Sequence, residues 1–284
     1  MKFLLSHPGF RRFLITLLYK YEDKTSSQIA NFNKDYISRE IQAYGWYEKP
    51  FLIFLERIIK KKIGKNSYNS YAIDVGANIG NHSLYFSSFM NTISIEPNPV
   101  CIHLLKSSII ANNLKNITLI EKGAGDTKMK KELTFDLSHT GGGSFKNTNN
   151  HSQPITKTVQ IDTLDSIINE LNIGKYSIDF IKIDTEDFEY EVLKGAKNIL
   201  NDFSPLIAFE ASSRESLIKI KDLLTKKGYL HFYNLIQSRR KFKNRFLNIL
   251  YMMINPLRID VTSLEDTSFE HFQMILASKD KLDI

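Results

Sequence analysis

Asp74-Val75-Gly76-Ala77-Asn78-Ile79-Gly80 follows the short apolar run Tyr71–Val75 and leads into Gly80–Phe89, where helical spacing takes over. Strand, glycine turn and helix in that order form the opening unit of an open α/β sheet, with a ligand crevice at the strand ends. Gly76 and Gly80 let the backbone turn sharply and approach a ligand closely. The spacing is G-x-N-x-G, whereas a dinucleotide site uses G-x-G-x-x-G, and this counts against a bound pyrophosphate.

Moving outward, a second strand at Thr92–Ile95 ends in Glu96-Pro97. A carboxylate there can accept hydrogen bonds from both hydroxyls of a ribose. Asp74 suits an ammonium group. A ligand that wants an ammonium partner, a ribose partner and no diphosphate is S-adenosylmethionine. The plainer alternatives are a helix-capping Asp74, glycines that serve packing alone, and a solvated charge at Glu96. The ordered combination favours the cofactor.

Further along, strand and helix signals alternate. Val100–Asn113 reads as a helix, Ile117–Ile120 as a strand, Thr158–Ile161 as a strand and Asp162–Leu171 as a capped helix. Ile178–Ile183, Leu206–Phe209, Leu230–Leu235 and Phe269–Ala277 read as strands, with Phe188–Leu200 and Ser213–Lys226 as helices between them. The expected fold is α/β: a Rossmann-like, mostly parallel seven-stranded sheet with helices on both faces. The expected organisation is a helical N-terminal extension over 1–70, then a domain over 71–284 with a basic insertion near 237–258.

Several of these segments carry a resemblance. Asp74–Gly80, Glu96-Pro97-Asn98-Pro99, the Val159–Leu164 segment running into Asp165, and Lys182-Ile183-Asp184-Thr185-Glu186 resemble the FkbM-type S-adenosylmethionine-dependent methyltransferases. Val192–Ala196, Pro205–Glu210 and Gly45–Glu48 extend the likeness to roughly residues 35–235. The resemblance implies a class I methyltransferase fold and methylation of a hydroxyl, often on a sugar or polyketide. The expected cofactor-binding residues are Asp74, Gly76, Asn78, Gly80, Glu96, Asn98, Asp126 and Glu48. One departure is Asp187, where the family usually has glycine. A backbone of positive φ there suits Asp less well than Gly.

At the reacting end, Asp184 closes the strand Ile178–Ile183, with Glu186, Asp187 and Glu189 just beyond and Glu210 ending the next strand. Methyl transfer is an in-line displacement, so alignment supplies much of the acceleration, and a hydroxyl acceptor must also lose a proton. Asp184 is the expected base or acceptor-positioning group, supported by Glu186 and Glu210. The same carboxylates suit a hard divalent cation, although no specific metal motif is present. Capping of the next helix is the plain reading of Asp187. Lys182 alternates onto the strand face of Asp184, which places it either to pair with Asp184 or to snorkel to the sheet edge. The Gly-rich stretch Ser138–Pro154 reads as a substrate lid, with His139, Ser144 and His151 as candidate contacts.

The chain has 284 residues, 42% hydrophobic and 24% charged, which excludes a disordered or collagenous protein. Its one cysteine, Cys101, excludes an internal disulfide and a Cys-based zinc site. The formal charge is +7, with +7 in residues 1–70, +6 in 237–258 and a net negative remainder. Basic appendages therefore flank a mildly acidic fold. The appendages suit an anionic membrane surface, or a lipid-linked or phosphorylated acceptor, with a solvated helix face and ordinary packing as the plain alternative. No segment reads as a membrane span or a secretory signal, so the expected location is the cytoplasm, including the inner face of a membrane. Nucleic-acid methylation and a non-catalytic module are the rival functions. The first is disfavoured by the missing Asn/Asp-Pro-Pro-aromatic motif and by the acidic sheet region.

Overall fold

The structure, a computed structural model, describes residues 27–32, 36–64, 69–136, 139–144, 154–173, 176–237, 259–264 and 271–284. Side chains at 136 and 139–144 lie outside the description. So do Phe10–Leu18, Asn147–Asn150, His151 and nearly all of the basic insertion.

The helices are α1 (Tyr36–Tyr44), α2 (Lys49–Ile63), α3 (Asn81–Ser87), α4 (Pro99–Ala111), α5 (Leu164–Leu171), α6 (Glu189–Lys194), α7 (Lys197–Asp202) and α8 (Arg214–Thr225). The strands are β1 (Ser70–Val75), β2 (Asn91–Ile95), β3 (Ile117–Ile120), β4 (Gly123–Gly125), β5 (Met129–Asp136), β6 (His139–Ser144) and β7 (Pro154–Thr163). They continue with β8 (Ser177–Ile183), β9 (Leu206–Ala211), β10 (His231–Gln237), β11 (Ile259–Thr262) and β12 (Phe272–Ser278).

Among the described residues the main sheet has eight strands in the order β11-β10-β12-β9-β8-β1-β2-β3. The five from β9 to β3 run parallel, and β12, β10 and β11 join by antiparallel pairing. This is the expected Rossmann-like architecture with a different strand count. The edge strand β11 was not foreseen, because four residues with two apolar side chains give too little pattern to read. The expected strand Thr158–Ile161 is the end of the longer β7, which belongs to a second sheet of order β4-β7-β5-β6. Half of β7 is exposed, as suits an antiparallel ribbon with one wet face rather than a doubly covered parallel strand.

Side-chain alternation divides the core between the two faces of the main sheet. On β8, Ile181 and Ile183 pack with Leu164, Val192, Ile199 and Ile220 from α5 to α8. On the other face, Phe180 packs with Ala72, Leu206 and the α2 residues Phe51, Leu52, Leu55 and Ile59. Helix α2 starts with Pro50 in its first turn and ends with Lys60, Lys61 and Lys62 before Gly64. That order suits both helix ends: proline lacks an N–H that would be orphaned there, and cations favour the carbonyl end.

Two helix boundaries differ from expectation. Helix α5 starts at Leu164 because Thr163 caps it, its hydroxyl accepting from the Ser166 N–H at 3.1 Å. The expected single helix Phe188–Leu200 is two short helices. The Asp165 carboxylate accepts from the N–H groups of Asn198 and Ile199 at 2.9 and 3.1 Å, which creates a fresh helix start. The break also lets Gly195 lie so close to β4 that an added Cβ would meet the Gly125 carbonyl oxygen at 1.9 Å. Among the described residues no helix is long and apolar enough to cross a membrane.

Candidate active site

Strand order reverses at β1, which has β2 on one side and β8 on the other. Open sheets present their ligand crevice at this point, beyond the carboxyl ends of the strands. Here the three strand ends are stitched together. Gly76 and Ala77 donate to the Ile95 carbonyl at 3.0 and 3.1 Å, and Asp184 donates to the Val75 carbonyl at 3.0 Å. Gly76 has φ +77, and a Cβ there would lie 1.8 Å from the Asp184 carbonyl oxygen. Gly80 has φ +90, and its Cβ would meet the Leu105 side chain at 2.2 Å. Gly76 is thus demanded by the close approach of the ends of β1 and β8 under the crevice, and Gly80 by its positive φ against the Leu105 side chain.

Above this junction lies a cavity of about 550 Å³, within the usual range of about 300–1,000 Å³ for small-molecule sites. Gly123, Ala124 and Leu133 of the second sheet form part of its wall. Glu96 lines it at the end of β2 and is 6% exposed. Its two oxygens accept from the Asn78 and Asn98 N–H groups, both at 2.8 Å. Loss of water nonetheless outweighs these donors and pushes its carboxyl up to about 7. Asn98 also caps α4, accepting from the Val100 N–H at 3.0 Å. Asn78, at φ 51, accepts from its neighbour Ile79 and from the Cys101 thiol.

At the end of β8, Lys182 is buried between two carboxylates, 3.1 Å from Asp184 Oδ2 and 3.7 Å from Asp74 Oδ1. Register explains the arrangement: Asp74 and Lys182 are partners across β1 and β8, and Asp184 is two residues on along the same face. Burial works to lower the Lys182 ammonium, but Asp184, Asp74 and Glu48 together hold it above its ordinary value. Burial raises the Asp184 carboxyl, yet Lys182 and a hydrogen bond with Glu210 bring it below the carboxylate range. Glu210 goes the other way, driven up by burial and then by the Asp184 charge. Asp184 is thus the ionised member of the pair, and Glu210 the member more readily protonated. Glu210 Oε1 also lies 2.7 Å from His271 Nε2 at the surface. Glu186 is at the lip, its side chain reaching solvent but crowded by protein, and that partial loss of water and then the Asp184 charge raise its carboxyl to about 7.

A second wall comes from the elbow between α1 and α2, which pattern reading marked only at Gly45–Glu48. Asn81 fixes it by accepting from the Tyr47 N–H and donating to the Tyr47 carbonyl, each at 2.9 Å. Glu48, at φ 54, accepts from Gln273 at 2.6 Å and lies 3.2 Å from His82 Nε2. Tyr47 stacks edge-on against His82 and Tyr36, and burial followed by the Glu48 charge raises its phenol. Tyr36, Tyr47, His82, His271 and Gln273 all line the cavity, and of these only Tyr47, within Gly45–Glu48, stood in a segment singled out from the sequence as a motif.

Of the expected residues, Gly76, Asn78, Glu96, Asn98, Glu48, Lys182, Asp184, Glu186 and Glu210 line one cavity. Gly80 lies behind it, and Asp74 is fully buried, accepting from Ser83 at 2.6 Å. Asp126 stands apart in a pair with Lys194 at 2.8 Å. His139 and Ser144 end β6, opposite Asp136 and Thr134 in register, so part of the expected lid is strand. Helix α6 has Phe188 as its N-cap without a side-chain bond, and Glu189 reaches back to accept from the Thr185 N–H at 2.8 Å. Glu189 thereby ties the turn at Thr185 back to the start of the helix. Among the described residues no group of three or more His, Cys, Asp or Glu is arranged to hold a metal ion.

Comparison with known proteins meets this geometry. The hexuronic acid methyltransferase AglP of Haloferax volcanii is 27% identical over 134 residues, 47% of this chain. The chain spans 53% of that relative's length. A crystal structure of a methyltransferase FkbM from Methylobacillus flagellatus aligns with 95% of this chain and 59% of its own, at 14% identity and TM-score 0.44. A precorrin-6y C5,15-methyltransferase from Geobacter metallireducens aligns with 80% of this chain and 89% of its own, at 13% identity and TM-score 0.43. The family model of the methyltransferase FkbM domain matches residues 74–230, from the buried Asp74 to just short of β10, and so takes in the end of β1 and all of β2, β3, β8 and β9. The chain belongs to the FkbM methyltransferase family.

Proposed function

We propose that this protein is an S-adenosylmethionine-dependent O-methyltransferase whose acceptor is a hydroxyl of a saccharide or glycan precursor. The observation that carries the reading is the juxtaposition, in one cavity, of Glu96 at the end of β2 and the Asp184–Glu210 pair with Glu186 beyond β8. The residues fit the cofactor. Each Glu96 oxygen spends one lone pair on a backbone N–H and keeps capacity for a ribose hydroxyl. The carboxylate-rich lining suits a cationic ligand. Asp74 serves this site from behind, holding Ser83 and Lys182, and is not among the residues that line the cavity. The kinship with a protein named for hexuronic acid methylation supports a saccharide acceptor.

When bound, S-adenosylmethionine supplies a methyl group activated by its sulfonium. Asp184, held ionised by Lys182, orients the acceptor hydroxyl by accepting its hydrogen bond. Glu186, with a carboxyl near 7, is matched to removing the hydroxyl proton at neutral pH. Asp184 itself is too weak a base for that step, which shifts the expected division of labour toward Glu186. Titration calorimetry with cofactor-stripped protein tests the first half of the proposal; absence of S-adenosylmethionine binding would end it. Transfer of a radiolabelled methyl group into fractionated cell extract tests the second. Asp184→Asn is expected to abolish turnover while leaving cofactor affinity nearly unchanged. The basic segments at 1–70 and 237–258 are proposed to bring the enzyme to an anionic membrane face, read as salt-sensitive sedimentation with acidic vesicles.

A further inference from the structure

We propose that the acceptor enters this cavity as an electrically neutral polyol or sugar ring, and that a ring bearing a carboxylate or phosphate is rejected there. This rests on the methyl-transfer reading above and adds the charge class of its substrate. Among the described residues, the lining carries Glu48, Glu96, Asp184, Glu186 and Glu210 against the single ammonium of Lys182. That ammonium is already committed, lying 3.1 Å from Asp184 and 3.7 Å from Asp74. Each of the two lining histidines lies beside a carboxylate, His82 3.2 Å from Glu48 and His271 2.7 Å from Glu210. An incoming anion finds no uncommitted fixed cation among these groups.

The bound cofactor accounts for only part of this acidity. It brings one net positive charge, which the carboxylates near the glycine turn suffice to balance. Glu186 remains at the end where the acceptor must lie, beside Glu210, the more readily protonated member of its pair. The site already strains to hold its own charge, since mutual repulsion among Asp184, Glu186 and Glu210 contributes to the raised carboxyls of the latter two. A uronate on the acceptor would add like charge within a few ångströms in a partly desolvated space, where Coulomb interactions exceed those in water severalfold. A neutral ring instead meets a dense set of hydrogen-bond acceptors, suited to several hydroxyl donors at once.

The chain offers a built-in probe. Cys101 is its one cysteine and lines the cavity. The full-length protein would be treated with trimethylammonium-ethyl and sulfonato-ethyl methanethiosulfonate, and each rate divided by that for a free small thiol. The expected result is a cation-over-anion preference on the order of tenfold, shrinking in high salt. Equal corrected rates, or a faster anion, overturn the inference. In parallel, labelled methyl transfer would be compared between a neutral methyl glycoside and its uronate counterpart. Preference for the neutral ring supports the proposal, and preference for the uronate sinks it. Calorimetry keeps the two ideas apart: a cation-selective cavity that fails to bind S-adenosylmethionine rejects the methyl-transfer reading alone.

Discussion

Glu186 and Asp187 sit in left-handed backbone, with φ 53 and 74, at the lip of the reacting end. Non-glycine residues adopt that region at a cost, and such residues collect where a site constrains the chain. Replacing Asp187 by glycine, the residue usual in the family, should relieve this and stabilise the protein by up to about 1 kcal/mol, net of the entropy of the freer unfolded chain. Urea denaturation measures it, and a lower midpoint would count against strain at this position. Glu186 carries the sharper functional expectation. Because its carboxyl lies near 7, turnover should rise with pH through that value as the base deprotonates. Glu186→Gln should remove this limb and lower kcat by on the order of 10²–10⁴-fold. A Gln variant that keeps both rate and pH limb would reassign the base. Lys182→Met should cost about 3–5 kcal/mol by leaving Asp74 and Asp184 facing each other without their cation.

At the scale of elements, the glycine turn shows what a sequence tells and what it withholds. The unit β1–turn–α3 and Glu96 at the end of β2 were legible because each depends on residues a few positions apart. So was the Lys182–Asp184 pairing, which strand alternation alone predicts. The reason for Gly76 was not legible. It answers the carbonyl of Asp184, more than 100 residues away, rather than a ligand. Gly76→Ala should therefore pry β1 from β8, costing about 3 kcal/mol or more through clash and positive φ together. Cofactor binding should weaken in parallel, whereas a purely ligand-facing glycine would lose affinity with stability intact. The elbow of α1 and α2 was legible only at Gly45–Glu48, and its partners were not, for a similar reason. Tyr47, His82 and Gln273 converge from three distant elements, and a lone aromatic or polar residue carries no periodic signal. The split between α6 and α7 depends on Asp165, whose capping bonds span more than 30 residues.

For the whole molecule, the uneven charge of the chain becomes an expectation about pH and stability. Burial raises Glu96 and Glu186 from an ordinary 4.5 to about 7 in the folded protein. The folded state therefore holds protons that the unfolded chain releases between pH 4.5 and 7. The stability these groups contribute is complete below pH 4.5 and is lost as pH rises through 7. Asp184 has the opposite sign. Its depressed carboxyl stabilises the fold above an ordinary 3.8 and ceases to do so as pH falls below that. Thermal unfolding should accordingly show Tm falling from pH 5 to pH 8. The overall +7 charge works against this trend, since acid adds to self-repulsion. The difference between wild type and the Glu96→Gln, Glu186→Gln double variant isolates the site, and the variant's slope should be flatter. A cationic cofactor favours the ionised carboxylates, so S-adenosylmethionine should raise Tm more at pH 8 than at pH 5. An increment that is larger at pH 5 would mean that these carboxylates do not face the bound cation.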